Sequence, residues 1–361
     1  MRDEKLFLLI VVTLGLIVPA TVFAEPVVLT FAMQNPETAY SSVHCVQPWI
    51  KAVEEATKGY VKIQPYYSQT LTKGKDTWNA TKMGIADMGW NMHGYWPGMT
   101  PLTDVMALPA LPFRTAEKGS EVFWSLYEKY PQVQKEFTDN KVLLLYTSEP
   151  YYLITKDKPV RNLEDLKGMK IRVGGAPAVD QMNALGGVPV AVGMPDAYLA
   201  MQKGVIDGMG AAWEPIIGFR LYEVANYYTQ VPFPATYFSI TMNLQKWNSL
   251  PKDVQDAIMS VSGLQGSKYW GHNFWDIAKE PTIQKAKDMG RDIKLFTLTE
   301  EERQRWLEIG GKPVWEAWIK DLESKGHPEA RQILQTVLDL SGTPSAQAEK
   351  VAGTVVKAAK P

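Results

Sequence analysis

Residues 165–214, DLKGMKIRVGGAPAVDQMNALGGVPVAVGMPDAYLAMQKGVIDGMGAAWE, decide the fold of this chain. A turn, DLKG, leads into a short strand, MKIRV, and the glycines after Leu185 separate a helix from a second strand. Residues 195–204 predict a helix that begins with Pro and ends with Gly, and a third strand follows. This β-α-β-α-β order predicts a mostly parallel sheet with helices on its faces, and therefore an α/β fold.

Arg172 is the residue of this stretch that points most clearly to a function. It lies within the strand MKIRV, on the opposite face from Ile171 and Val173, and a glycine pair follows at once. The carboxyl end of a strand in such a sheet is where small ligands bind, and a guanidinium matches a carboxylate bidentately. We therefore predict that Arg172 binds an anionic ligand. The alternative is an ordinary surface salt bridge.

Several motifs along the chain resemble one known family. DLKGMKIRV, GGVPV and PDAYLAMQKGVIDG are similar, in order and spacing, to segments of the substrate-binding proteins of TRAP transporters, the DctP-like family. KDTWNATKMGIADMGW, LPALPF and MNLQKWNSLPKDVQDAI extend the resemblance over nearly all of the chain after the leader. The resemblance implies a two-lobed periplasmic binding protein fold, type II-like, with a hinge, a double strand crossover and a long bracing helix. It also implies that Arg172 binds the ligand carboxylate.

Composition agrees with two lobes and excludes some functions. The chain has 361 residues and a formal net charge of −1, which is long enough for two cores and gives no case for nucleic-acid binding. It contains no nucleophile elbow, zinc motif or phosphate-binding loop, and its four histidines show no ligand spacing. Cys45, the only cysteine, predicts a buried apolar side chain. We expect no cofactor and no enzymatic activity.

Domain boundaries follow from the leader and from the strand order. Residues 1–24 predict a secretory signal and export to the periplasm, with an uncleaved membrane anchor as the alternative. Lobe 1 is predicted at 25–148, completed by about 236–275, and lobe 2 at 149–235, completed by about 290–340. Residues 252–289 form the predicted bracing helix region, and 341–361 the C-terminal tail.

Further candidates for the cleft wall come from the first lobe. The first strand, 27–33, ends before Gln34 and Asn35, which could face a ligand, and Thr38 or Ser41 could cap the next helix. Residues 86–90 predict a short strand and 91–96 a polar, aromatic loop. This list of candidates includes Trp90, Asn91 and His93. The alternatives are core packing for Trp90 and a structural histidine for His93.

The resemblance implies the other site residues. It places Met194 beside the ligand, and it places Tyr152 where the family often has a second basic residue, which weakens a dicarboxylate assignment. The loop after Asp207 lacks the amide and the acid that the family usually has there. Ala211 would leave room for the ligand, and Trp213 would supply an apolar wall. Some relatives that bind oxo acids hold a metal ion near this loop, and Glu214 keeps that alternative open.

Together these observations predict a monomeric periplasmic receptor. It captures an organic acid anion, expected to be a monocarboxylate with an apolar or hydroxylated body, and delivers it to the membrane permease subunits of a TRAP transporter. The alternatives are a C4-dicarboxylate or 2-oxo acid as ligand, or a periplasmic enzyme or sensor on the same fold. Residues 216–227 are expected to form a helix, and 228–234 to lead back to the first lobe.

Overall fold

The computed structural model describes residues 26–342. The predicted signal sequence at 1–24, and all but the first two residues of the predicted tail at 341–361, lie outside the described residues. Within 26–342, no helix has both the length and the apolar composition needed to cross a membrane.

Eleven strands within residues 26–342 form two mixed sheets, one in each lobe. The strands are β1 (Val27–Ala32), β2 (Val61–Tyr66), β3 (Met88–Met92), β4 (Lys141–Thr147), β5 (Tyr152–Thr155), β6 (Lys170–Arg172), β7 (Val188–Val190), β8 (Gly208–Ala211), β9 (Tyr227–Gln230), β10 (Tyr237–Met242) and β11 (Lys294–Thr297). The first sheet has the order β2-β1-β3-β10-β4, and the second has the order β11-β9-β5-β8-β6-β7. In the first sheet only β10 runs antiparallel to its neighbours, and in the second β5 does so.

Helices cover the faces of both sheets. They are α1 (Gln47–Ala56), α2 (Thr77–Lys82), α3 (Ala116–Lys129), α4 (Pro131–Lys135), α5 (Leu163–Leu166), α6 (Ala176–Ala184), α7 (Ala197–Gln202), α8 (Trp213–Gly218), α9 (Leu244–Ser249), α10 (Lys252–Ser260), α11 (Gly263–Trp270), α12 (Lys279–Asp288), α13 (Glu300–Gly310), α14 (Lys312–Ser324) and α15 (Ala330–Leu340). The predicted β-α-β-α-β order of 165–214 is present as β6-α6-β7-α7-β8.

The core explains why the first sheet is stable. β4 is a nearly continuous apolar run, and Leu143, Leu144 and Leu145 are all fully buried because α3 and α11 pack against this strand. A strand that is buried on both faces needs such a sequence. Cys45 is buried, as predicted.

The chain passes between the sheets three times, from β4 to β5, from β9 to β10 and from β10 to β11. The second passage differs from the prediction. A helix was expected over 216–227, but α8 ends at Gly218 and Tyr227 begins β9, which pairs with β5 inside lobe 2. The β-branched and aromatic residues of β9 extend an existing sheet edge, and this pairing outweighs the local helical pattern.

The C-terminal elements divide between the lobes. β11 pairs with β9 and α13 packs against α6, so both lie in lobe 2. In contrast, α15 packs against α3 in lobe 1, where Ile333 and Val337 join a cluster with Phe123. The bracing region consists of separate helices, with α11 on lobe 1 and α12 against α8 of lobe 2.

Candidate ligand-binding site

Arg172 ends β6 in the interior of lobe 2. The strand is paired on both sides, with β7 and with β8, and the side chain is only 1% exposed. Its Nε donates a hydrogen bond to the carbonyl of Val192 at 3.0 Å. Its Nη1 is buried without a partner, and none of the ion pairs within residues 26–342 includes it. Arg172 is therefore a buried positive charge without a counter-ion. Burying an unpaired guanidinium in this way costs several kcal/mol.

A narrow cavity of about 10 Å³ lies between the two lobes. Aromatic, Met and amide side chains dominate its walls, together with one carboxyl group. The lining residues are Gln34, Asn35, Trp90, Met92, Tyr151, Met194, Glu214, Pro215, Phe219, Phe238 and Trp275. Arg172 is not itself among these lining residues. It adjoins the wall, because its acceptor Val192 is two residues from Met194 and a Cβ placed on Gly174 would lie 2.9 Å from Cε of Met92.

The structure brings some of the predicted site residues to the cavity and leaves others elsewhere. Gln34, Trp90, Met194 and Glu214 line it. Ala211 is instead paired with Tyr152 in the sheet of lobe 2. The ring of Tyr152 lies 5.0 Å from that of Trp213, which also stacks on Tyr228. These three residues support the wall from behind and do not line the cavity.

Asn91 and His93 lie on the other side of the first sheet. β3 runs on to Met92, so alternation places Trp90 and Met92 towards the cavity and Asn91 away from it. The amide of Asn91 donates to Thr241 at 2.9 Å, and His93 Nε2 lies 2.8 Å from the hydroxyl of Ser239.

His93 is part of an aromatic cluster. It stacks on Tyr237 at 5.1 Å and is only 2% exposed, and burial lowers its pKa to about 3. A neutral ring in this position fits the structural alternative for this histidine.

Sequence patterns missed six of the cavity residues, namely Met92, Tyr151, Pro215, Phe219, Phe238 and Trp275. Phe238 is opposite Met92 in the β10–β3 pairing, so its position depends on a contact between distant segments. The ring of Trp275 lies 5.0 Å from that of Phe238 and comes from within the bracing region. The aromatic content of these segments was the only signal in the sequence.

Hydrogen bonds hold the lobes together across the cavity. Glu214 of α8 accepts from Asn35 at 3.2 Å and from the hydroxyl of Ser41, both in lobe 1. Tyr95 of lobe 1 accepts from the backbone N–H of Met194 at 3.2 Å and donates to Gln34 at 2.9 Å. The described arrangement is therefore closed. Ser41, predicted as a helix cap, makes no capping bond and contacts the second lobe instead.

Glu214 links the closed arrangement to pH. Burial raises the pKa of this carboxyl to about 7, while the bonds from Ser41 and Asn35 oppose the rise. With the lobes apart the group would meet water and titrate near its ordinary value. The closed state then binds more protons between about pH 4.5 and 7, so closure weakens as the pH rises through that window.

We therefore expect ligand affinity to fall on the order of tenfold to 100-fold between pH 5.5 and pH 8. Glu214→Gln keeps an oxygen that accepts from Asn35 and Ser41 but cannot ionise, so this variant should lose most of the slope. Calorimetry with a monocarboxylate ligand at the two pH values measures the effect. An identical slope in the variant and the wild type would show that Glu214 does not control closure.

No group of three or more His, Cys, Asp or Glu side chains within 26–342 is arranged to hold a metal ion. Glu214 is surrounded by an amide and a hydroxyl.

Comparison with known proteins adds to this geometry. The family model described as "Bacterial extracellular solute-binding protein, family 7" (DctP) matches residues 31–321. The C4-dicarboxylate-binding periplasmic protein DctP of Rhodobacter capsulatus is 25% identical over 307 residues, covering 82% of this chain and 87% of that protein.

Two solved structures are similar over most of this chain. A TRAP solute-binding protein from Rhodoferax ferrireducens T118, in complex with copurified benzoate, has a TM-score of 0.81 and 26% identity, covering 90% of this chain and 99% of that chain. A marine metagenome TRAP solute-binding protein from an unidentified microbe, specific for aromatic acid ligands and holding 3-hydroxybenzoate, has a TM-score of 0.82 and 28% identity, covering 88% of this chain and 99% of that chain.

TRAP solute-binding proteins are periplasmic transport proteins that bind small organic acids and work with membrane permease subunits. The match spans most of the chain, and both lobes and the cleft between them are present. This chain belongs to the bacterial extracellular solute-binding protein family 7, as a solute-binding receptor of the TRAP type.

Proposed function

We propose that this receptor captures an aromatic monocarboxylate and that Arg172 binds the carboxylate. The observation that carries the proposal is the buried guanidinium, whose Nη1 has no partner among residues 26–342. A ligand carboxylate would supply the missing counter-ion and accept a charge-assisted hydrogen bond in a site that excludes water.

The cavity walls favour an aromatic body for the ligand. Trp90, Phe238 and Trp275 form one face, with ring centroids 5.1 Å apart between Trp90 and Phe238. Such rings offer offset or edge-on contacts to another ring in addition to the burial of apolar area. The two similar structures that hold benzoate and 3-hydroxybenzoate support the same ligand class.

The charges at the cavity favour one carboxylate over two. Neither Lys nor Arg occurs among the eleven lining residues, so Arg172, just outside this lining, is the cation that a ligand carboxylate would reach. Tyr152 stands where the family often has a second basic residue, and its ring packs against Trp213. A C4-dicarboxylate would therefore bury a charge without a partner.

We further propose that the protein is exported through residues 1–24, acts as a monomer, needs no cofactor or metal, and releases its ligand unchanged. The Ser239–His93 pair resembles a nucleophile and base, but both residues are buried in lobe 1 and neither lines the cavity. An enzyme would need such a pair within reach of the substrate.

We expect benzoate and 3-hydroxybenzoate to bind at least about 30-fold more tightly than succinate, because succinate leaves one charge unpaired in the cavity. Calorimetry on the purified protein after treatment with a chelator measures all three acids, and mass spectrometry of the released acid tests for turnover. Tighter binding of succinate would contradict the ligand class. Loss of binding after chelation, or a chemically altered acid, would contradict the absence of metal or of catalysis.

A further inference from the structure

A second concave surface lies behind the ligand cavity. It is a groove of about 640 Å³ whose walls come from residues 36–44 of lobe 1, residues 217–222 of lobe 2, and the C-terminal end of α12. We call it the rear groove. Because both lobes form it, its shape depends on whether they are closed.

The rear groove shares its walls with the ligand cavity. Gln34 and Asn35 line the cavity and the next residues of the same loop line the groove, while Glu214 and Phe219 line the cavity and Ile217 and Gly218 between them line the groove. The two walls touch, since a Cβ placed on Gly218 would lie 3.7 Å from that of Ala39. Closure around a ligand therefore assembles the groove at the same moment.

The charged lining of the rear groove is basic. His44, Arg220 and Lys285 line it, and no acidic residue does. Arg220 is paired with Glu223, with Nε 2.7 Å from the carboxylate, whereas Lys285 forms no ion pair within residues 26–342. Because Glu223 offsets Arg220, Lys285 is the lining cation that is left to attract an acidic group of a partner.

Exposed apolar side chains complete the surface. Val43 is 43% exposed and Met289 is 52% exposed, on opposite walls of the groove. Exposed apolar side chains that lie beside polar and charged groups are typical of surfaces where a protein partner docks.

We propose that the rear groove docks an acidic segment of the membrane permease, and that the permease uses it to distinguish closed, loaded receptor from open, empty receptor. A partner can favour the loaded receptor only through contacts that differ between the two arrangements. A groove built from both lobes provides such contacts, and its charge and exposed apolar residues specify the chemistry of the partner.

The test uses Lys285→Glu/Met289→Glu, which reverses the charge and removes the apolar contact on one exposed helix face. The matched control is Lys320→Glu/Ile309→Glu, in which an exposed lysine without an ion pair in the described chain and an apolar side chain 41% exposed lie outside the groove. Binding of each full-length receptor to the cognate permease subunits in nanodiscs is measured by interferometry, with and without benzoate.

We expect the groove variant to bind the permease at least about tenfold more weakly and the control to match the wild type, with the difference shrinking at high salt. Equal binding by both variants would overturn the proposal. Calorimetry with benzoate is run in parallel, so that a failure of the ligand assignment is seen separately. Sedimentation is the remaining arm: self-association of the wild type that the groove variant lacks would assign the groove to a second copy and overturn the permease proposal.

Discussion

Arg172→Ala is expected to abolish measurable binding of benzoate while leaving the fold intact. Removing the guanidinium leaves the ligand carboxylate buried without a partner, which costs about 2–5 kcal/mol, or roughly 30-fold to several thousand-fold in affinity. The fold should survive because the side chain has one hydrogen bond, to Val192, and no ion pair among the described residues. Calorimetry measures the affinity, and circular dichroism checks the secondary structure.

Arg172→Lys is the matched control for charge. An ammonium keeps the positive charge but lacks the planar fork that donates two parallel bonds, so this variant should also bind benzoate much more weakly. Equal affinity in the lysine variant would show that charge alone anchors the ligand. Unchanged affinity in the alanine variant would refute the role of Arg172 altogether.

Gly94→Val is expected to prevent the lobes from closing. Gly94 of lobe 1 faces the glycine pair that follows Arg172, and a Cβ at this position would lie 3.1 Å from Gly175 N and 3.2 Å from Gly174 C. The two further methyl groups of valine would force the backbones apart and favour the open receptor. Part of the free energy of ligand binding is then needed to close the lobes, so the affinity falls. We expect at least about a 30-fold loss of affinity for benzoate.

Gly94→Ala provides the graded comparison, because one methyl group requires the neighbouring backbone to move by only a few tenths of an ångström. Its affinity should fall between those of the wild type and Gly94→Val. Small-angle scattering with and without benzoate reports closure directly. A valine variant that still contracts on adding ligand would contradict the close approach of the two lobes at this point.

Local sequence patterns were sufficient for the strand order around Arg172 and for its position at a strand end. MKIRV followed by two glycines could be interpreted from neighbouring residues alone, and β6 ends at Arg172. The same reasoning placed the end of the strand at 86–90 two residues too early. β3 continues to Met92, which turns Asn91 to the far face of the sheet and adds Met92 to the cavity wall.

Contacts between distant segments could not be predicted. Glu214 meets Ser41 across 173 positions of the chain, and no local pattern distinguishes a helix-capping serine from one that bonds to another lobe. The same limit applies to α15, whose amphipathic face would fit either lobe and packs against α3. Which apolar faces meet depends on the whole topology rather than on any one segment.

The central claim is that an unpaired guanidinium in the closing cleft receives the carboxylate of the ligand. A crystal structure of the protein with benzoate tests it most directly. We predict a carboxylate oxygen about 2.7–2.9 Å from Nη1 of Arg172, with the ring against Trp90 and Phe238. A benzoate bound with its carboxylate away from Arg172, or a cleft that closes on the acid while Nη1 stays without a partner, would contradict the account.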